Sequence, residues 1–186
     1  HRIDDLFADG PAVNAVTGDL SFTPADDANG VATISVRLHD DGGSTEGDQN
    51  PGPPQTFTLT VTPVNDAPSF VGGDHQTVQE DSGPRTVAGW ASEMRPGPAD
   101  ESDQVIAFEI AGNTNPALFA HTPVVDPTTG DLRFTPADQA NGSAVLTVQA
   151  RDNGGWDGQN QDTREPHTLT IVVNPVNDPP SFVPGG

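Results

Sequence analysis

Apolar residues in this chain fall into short alternating runs and never into helical stripes. Ala144, Leu146, Val148 and Ala150 alternate with Val145, Thr147 and Gln149, so the first set points to a core. Leu169, Ile171 and Val173 repeat the period of two, as do Ile106, Phe108 and Ile110. Read this way, 71–182 holds seven short strands, at 76–79, 85–91, 105–110, 118–125, 132–134, 144–150 and 168–173. Turn formers such as Asp126-Pro127-Thr128-Thr129-Gly130 separate them. The prolines and charges of 94–103 exclude regular structure there. Seven strands with turn signals between them predict an all-β Greek-key sandwich.

The pattern recurs. Pro63-Val64-Asn65-Asp66-Ala67-Pro68-Ser69-Phe70 returns as Pro175-Val176-Asn177-Asp178-Pro179-Pro180-Ser181-Phe182, 112 positions later. The offset also lays Gly18-Asp19-Leu20-Ser21-Phe22-Thr23-Pro24-Ala25-Asp26 over Gly130-Asp131-Leu132-Arg133-Phe134-Thr135-Pro136-Ala137-Asp138. This is a tandem array of sandwich-sized repeats of about 112 residues. Residue 1 aligns with Asn113, inside the repeat. The expected organisation is the later part of one repeat (1–70), a complete repeat (71–182) and the start of the next linker (183–186). Either the sequence is a fragment, the reading preferred here, or a neighbouring chain supplies strands. Each copy of the Pro-Val-Asn-Asp segment follows a strand and carries prolines that forbid helix, as a joint between modules would.

Composition changes the picture in one respect. The chain has 27 acidic and 7 basic residues, all arginine, and a net charge of −20. Nucleic acid and anionic membrane surfaces, which need a basic footprint, are excluded as partners, and cations become the natural counterpart. No run is apolar enough to insert into a membrane. Hydrophobic content is 32 % with 20 glycines and 19 prolines, so the core is sparse and a ligand of the folded form would add stability. There is no cysteine, hence no disulfide and no evidence of redox compartment.

The carboxylates have an order. In an up-and-down count of the strands, Asp100, Glu101, Asp103 and Asp152 of the complete repeat share one pole. Glu80, Asp81 and Asp138 share the other, beside Asn177-Asp178. Stacked end to end, the repeats would bring Asp26, Asn65 and Asp66 of the first against Asp100, Glu101, Asp103 and Asp152. Two carboxylates about 4 Å apart repel by ~1 kcal/mol in water and ~4 kcal/mol at a protein surface. A cation would let them coexist. Ca2+ suits, taking about six to eight oxygens, whereas zinc would want clustered His or Cys.

The run 148–155, the strand 169–173 and the linker 176–182 resemble the last two strands and linker of a cadherin repeat. With Glu80-Asp81 and the Gly-Gly loop, the unit is similar to bacterial cadherin-like repeats of giant surface adhesins and biofilm proteins, across essentially the whole chain. The resemblance implies calcium bound between domains by Asp66, Asp178, Glu80, Asp100 and Asp152, and an extracellular or cell-surface place. Pro63 and Pro175 stand where a cadherin linker has an Asp, and the second Asn is missing. Fewer ions per joint and weak affinity follow.

For each acidic loop the plain alternative is a solvated turn. No nucleophile elbow, catalytic Cys, zinc-protease helix or phosphate-cradling glycine motif is present, so no enzyme is expected. The expected function is a calcium-stiffened spacer of a secreted or surface adhesin, partnered by adjacent repeats of its own chain. Alternatives are a glycan- or protein-recognition module using the long loops, with Trp156 on one of them, and a self-associating filament subunit. Asn141-Gly142-Ser143 also matches the glycosylation sequon. Trp90 is expected in the core.

Overall fold

The computed structural model describes residues 5–39, 52–155, 163 and 165–180. The chain divides into two compact units, His1–Val64 and Asn65–Gly186, so Asn65-Asp66 belongs with the second. Among the described residues no helix is long and apolar enough to cross a membrane.

The first unit is a pair of hairpins. β1 (Phe7–Val13) pairs with β2 (Leu20–Pro24), and β3 (Gly30–Val36) with β4 (Gln55–Val61), all antiparallel. Leu6, Phe7 and Ala32 are its buried hydrophobics. The second unit holds β5 (Ser69–Gly72), β6 (Gln76–Gln79), β7 (Arg85–Val87), β8 (Ala91–Arg95), β9 (Ala107–Asn113), β10 (Phe119–Val125), β11 (Leu132–Pro136), β12 (Gly142–Arg151) and β13 (His167–Asn174). A four-stranded sheet runs β6-β13-β12-β9, and β10-β11-β7 and β5-β8 form smaller sheets. β6 lies parallel to β13, and the other pairings are antiparallel. The expected all-β sandwich is what forms.

Alternation decides which side chains are inside. Ala144, Leu146, Val148, Ala150, Leu169 and Ile171 are wholly buried, and Val173 is nearly so. They meet Phe70, Trp90, Leu118, Leu132 and Phe134 in one core. Trp90 is 2 % exposed, as expected. Two stretches differ from the reading of the sequence. The strand expected over 85–91 is two strands, because Gly89 turns the chain at φ +60° while Asp131 Oδ1 accepts its N–H at 3.0 Å. The stretch 94–103, expected to be irregular, begins inside β8 and carries a single 3-10 turn, Ala99–Glu101.

The 112-residue offset recurs in the backbone. Phe7 faces Pro24 as Phe119 faces Pro136, and Gly30 faces Val61 as Gly142 faces Val173. Both copies of the first hairpin break register at the same place, across Pro11 and Pro123, where proline removes a ladder donor and a bulge absorbs the mismatch.

Candidate cation site at the N-terminal pole of the second unit

The linker reaches the second unit through its own apolar residues. Pro68 is fully buried and Phe70, on β5, packs edge-on against Phe108 at 5.1 Å and lies 6.4 Å from Trp90. Burying a side chain such as Phe70 contributes roughly 1.5–3 kcal/mol, enough to fix where Asn65 and Asp66 enter. Beside them lie the 3-10 turn Ala99–Glu101 and the loop after β12.

Three polar residues there are buried: Asn65 at 7 % exposure, Glu101 at 6 % and Asp152 at 9 %. Asn65 Nδ2 donates to Asp152 Oδ1 at 3.1 Å, which also accepts the Gly154 N–H at 2.9 Å. Gln104 Nε2 donates to Asn65 Oδ1 at 2.8 Å. The Asp66 N–H donates to Glu101 Oε1 at 3.0 Å, and the Val105 N–H to Asn153 Oδ1 at 2.7 Å. The linker main chain is thus docked onto the unit by side chains drawn from two distant loops.

The network leaves acceptors over. Glu101 Oε2, Asp152 Oδ2 and Gln104 Oε1 are buried and have no hydrogen-bond partner. Each costs about 1–3 kcal/mol in that condition, more for a charged group. Burial pushes the Glu101 carboxyl above the ordinary value of 4.5, and the charges of Asp66, Asp100 and Asp152 add to this against the opposing Asp66 N–H. Among the described residues no arginine or histidine pairs with Glu101 or Asp152. An all-oxygen set, partly anionic and short of positive charge, fits a hard cation such as calcium. No three Asp, Glu or His side chains among the described residues stand close enough to hold a metal by themselves, so any such set would be completed by amide or main-chain oxygens or by water.

The structure therefore brings Asn65, Asp66, Glu101 and Asp152 together. Asp100 is exposed on the 3-10 turn, near enough for its charge to act on Glu101, and Asp103 is exposed beyond it. Asp26 is exposed in the turn between β2 and β3 of the first unit. At the C-terminal pole the buried Glu80 accepts the Val176 N–H through Oε1 at 2.7 Å and Asn141 Nδ2 through Oε2 at 2.9 Å. Those bonds hold its carboxyl below the ordinary range, Asn141 contributing most. Asp81 accepts from Gln139 at 3.3 and 3.4 Å. Asp138, Asn177 and Asp178 are exposed. Trp156 lies outside the described residues. Reading the sequence for charge passed over Gln104, Asn141 and Asn153, because neutral amides carry no charge signal. Asn153, between Asp152 and Gly154, and Gln104, next to Asp103, at least stand beside acidic residues, whereas Asn141 has only the following Gly142 to mark it.

No family model and no curated protein matches the chain. Solved structures do. A Drosophila N-cadherin EC1-4 structure superposes with a TM-score of 0.56 at 20 % identity, over 93 % of this chain and 41 % of that one. Human protocadherin-24 EC1-2 gives 0.54 at 15 % identity, over 91 % of this chain and 77 % of that one. This chain thus spans about two fifths of the length of the N-cadherin structure. At such identities the likeness is one of fold, and the fold is that of cadherin ectodomain repeats.

Proposed function

We propose that the chain is a structural segment of a cell-surface or secreted adhesin, built of cadherin-like repeats and stiffened by calcium, with no catalytic role. Residues 1–70 are then the later part of one repeat, 71–182 a complete repeat and 183–186 the start of the next linker. The observation that carries this reading is the set of three unpartnered buried oxygens, on Glu101, Asp152 and Gln104, gathered where the linker docks. Calcium would supply the positive charge that lets these acceptors remain buried together. Asn65 and Asp66 bind the linker to the unit, while Glu101 and Asp152 each use one oxygen for docking and keep the other for an ion. With the ion held, bending at Pro63–Pro68 would break ligand contacts as well as hydrogen bonds. The cadherin resemblance supports the same assignment, and the bacterial surface context rests on that resemblance alone.

Small-angle scattering tests it. The maximum dimension of the 186-residue chain should lengthen or sharpen in calcium relative to chelator, and Asp66→Ala should behave in calcium as the chelated wild type does. Identical profiles and identical melting temperatures in the two buffers would remove the proposal.

A further inference from the structure

We infer that Gln104 belongs to the cation site as a ligand in its own right, standing where a third carboxylate would otherwise be. The inference rests on the calcium reading above and adds a residue that neither charge nor the cadherin resemblance picks out. It starts from the direction of the hydrogen-bond relay. Gln104 Nε2 donates to Asn65 Oδ1 at 2.8 Å, and Asn65 Nδ2 donates to Asp152 Oδ1 at 3.1 Å. Asp152 can only accept when ionised, so Asn65 must present nitrogen to it and oxygen to Gln104. Gln104 must then present nitrogen to Asn65, because the reverse would set two oxygens against each other. The relay leaves Gln104 Oε1 no choice of direction. It is buried, and no protein donor reaches it.

Gly154 shows that the oxygen has been given room. A Cβ there would overlap Asn65 Oδ1 and sit 2.7 Å from Gln104 Oε1. Glycine is thus the residue that allows both amide oxygens to share the site with Asp152, two positions earlier. At the relay's other end Asp152 Oδ2 is also buried and unpartnered, and Glu101 Oε2 is the third such atom. Glu101, Gln104 and Asp152 each commit one polar atom to the network that holds the linker and leave one uncommitted, while Asn65 uses both of its own within the relay. A neutral amide in this set supplies an oxygen without a third buried negative charge. That keeps the metal-free protein tolerable and lowers ion affinity, which falls with ligand charge count.

The test is calorimetric titration of the intact 186-residue chain with calcium chloride, comparing wild type, Gln104→Met, Gln104→Glu and Asp103→Asn. Both Gln104 variants lose the donor to Asn65, but only Gln104→Glu keeps an oxygen for the ion. As a ligand, Gln104 predicts about a tenfold or greater loss of affinity in Gln104→Met, and wild-type or tighter affinity in Gln104→Glu. Gln104→Glu should also melt lower in chelator, and Asp103→Asn should bind as wild type does. If the two Gln104 variants weaken binding equally, the residue only orients Asn65 and the inference falls. It also falls if Gln104→Met binds as wild type. A wild-type chain that gives no calcium heat overturns the site reading itself, a distinguishable result. Should the variants not fold, the wild type suffices: its Gln104 side-chain carbonyl carbon resonance should move with calcium, at the midpoint of the heat. A resonance that stays in place overturns the assignment.

Discussion

Asp152→Asn separates the two consequences of the N-terminal cluster, because its stabilising effect should shrink by about 1 kcal/mol when calcium is added. The substitution keeps an Oδ1 to accept from Asn65 Nδ2 and the Gly154 N–H, so the docking bonds survive. It removes one of two buried charges in a pocket where Glu101 and Asp152 both have an unpartnered oxygen. The Asp152 charge is one of those that raise the Glu101 carboxyl, and relief of such like-charge repulsion at a protein-surface dielectric is worth about 1–2 kcal/mol. In chelator the variant should therefore be the more stable protein. In about 10 mM calcium, with a dissociation constant of about 10⁻³ M, the wild type gains about 1.4 kcal/mol by mass action. Tenfold weaker binding would leave the variant only about 0.4 kcal/mol. At about 4 °C per kcal/mol for a domain of this size, the wild-type transition should rise by about 5–6 °C and the variant's by about 2 °C. Scanning calorimetry of both proteins in both buffers reads all four values. Equal calcium increments, or a variant less stable than wild type in chelator, would refute the reasoning.

Three further outcomes follow from the same structure. Glu101, whose carboxyl is raised by burial, contributes stability that is complete below 4.5 and is lost as pH rises through its folded value; Glu80, whose carboxyl is lowered by its bonds to Asn141 and Val176, contributes stability present above 4.5 and lost as pH falls through its own. Melting curves in chelator should accordingly show Glu101→Gln flattening the neutral limb and Glu80→Gln flattening the acid limb. Gly130→Ala should cost well over ~2 kcal/mol by urea denaturation, since φ is +72° and a Cβ would overlap the Ala91 carbonyl oxygen, whereas Gly18→Ala, with φ +79° but open space, should cost only about 1 kcal/mol. Leu132→Ala, at a wholly buried position, should cost about 2–5 kcal/mol, against well under 2 kcal/mol for Leu20→Ala at 38 % exposure.

That last pair shows what a sequence can and cannot tell. Leu20 and Leu132 stand 112 positions apart in matching segments, and their hairpins share one register down to the bulge. Alternation and turn chemistry are local, so strands 144–150 and 168–173 were legible, within two residues at each end, from their own residues. Burial is not local. Leu132 is covered because it packs into the core that the second unit's other strands complete, whereas among the described residues the buried cluster of the first unit holds only Leu6, Phe7 and Ala32. The same limit applies to Ser69-Phe70, expected in a joint but drawn into β5 by pairing with β8. Gly89 is another case, since its turn depends on a carboxylate 42 residues away.

The candidate site was legible in kind and less so in membership. Counting loops placed Glu101 and Asp152 at one pole and Glu80 at the other, but charge alone cannot separate a carboxylate already satisfied from one left wanting. The two poles differ in just this way. Both oxygens of Glu80 have donors, the Val176 N–H and Asn141, so the C-terminal linker is clipped to its unit by hydrogen bonds that need no counter-ion. Glu101 makes the corresponding bond to the Asp66 N–H with one oxygen and buries the other unpartnered. The difference lies in which amide is nearby: Asn141 turns its nitrogen to Glu80, while Gln104 spends its nitrogen on Asn65 and adds another unpartnered oxygen. On the proposed calcium reading, the cation belongs at the pole where the amides run out of donors, and their orientation, more than the number of acidic residues, would set where it binds.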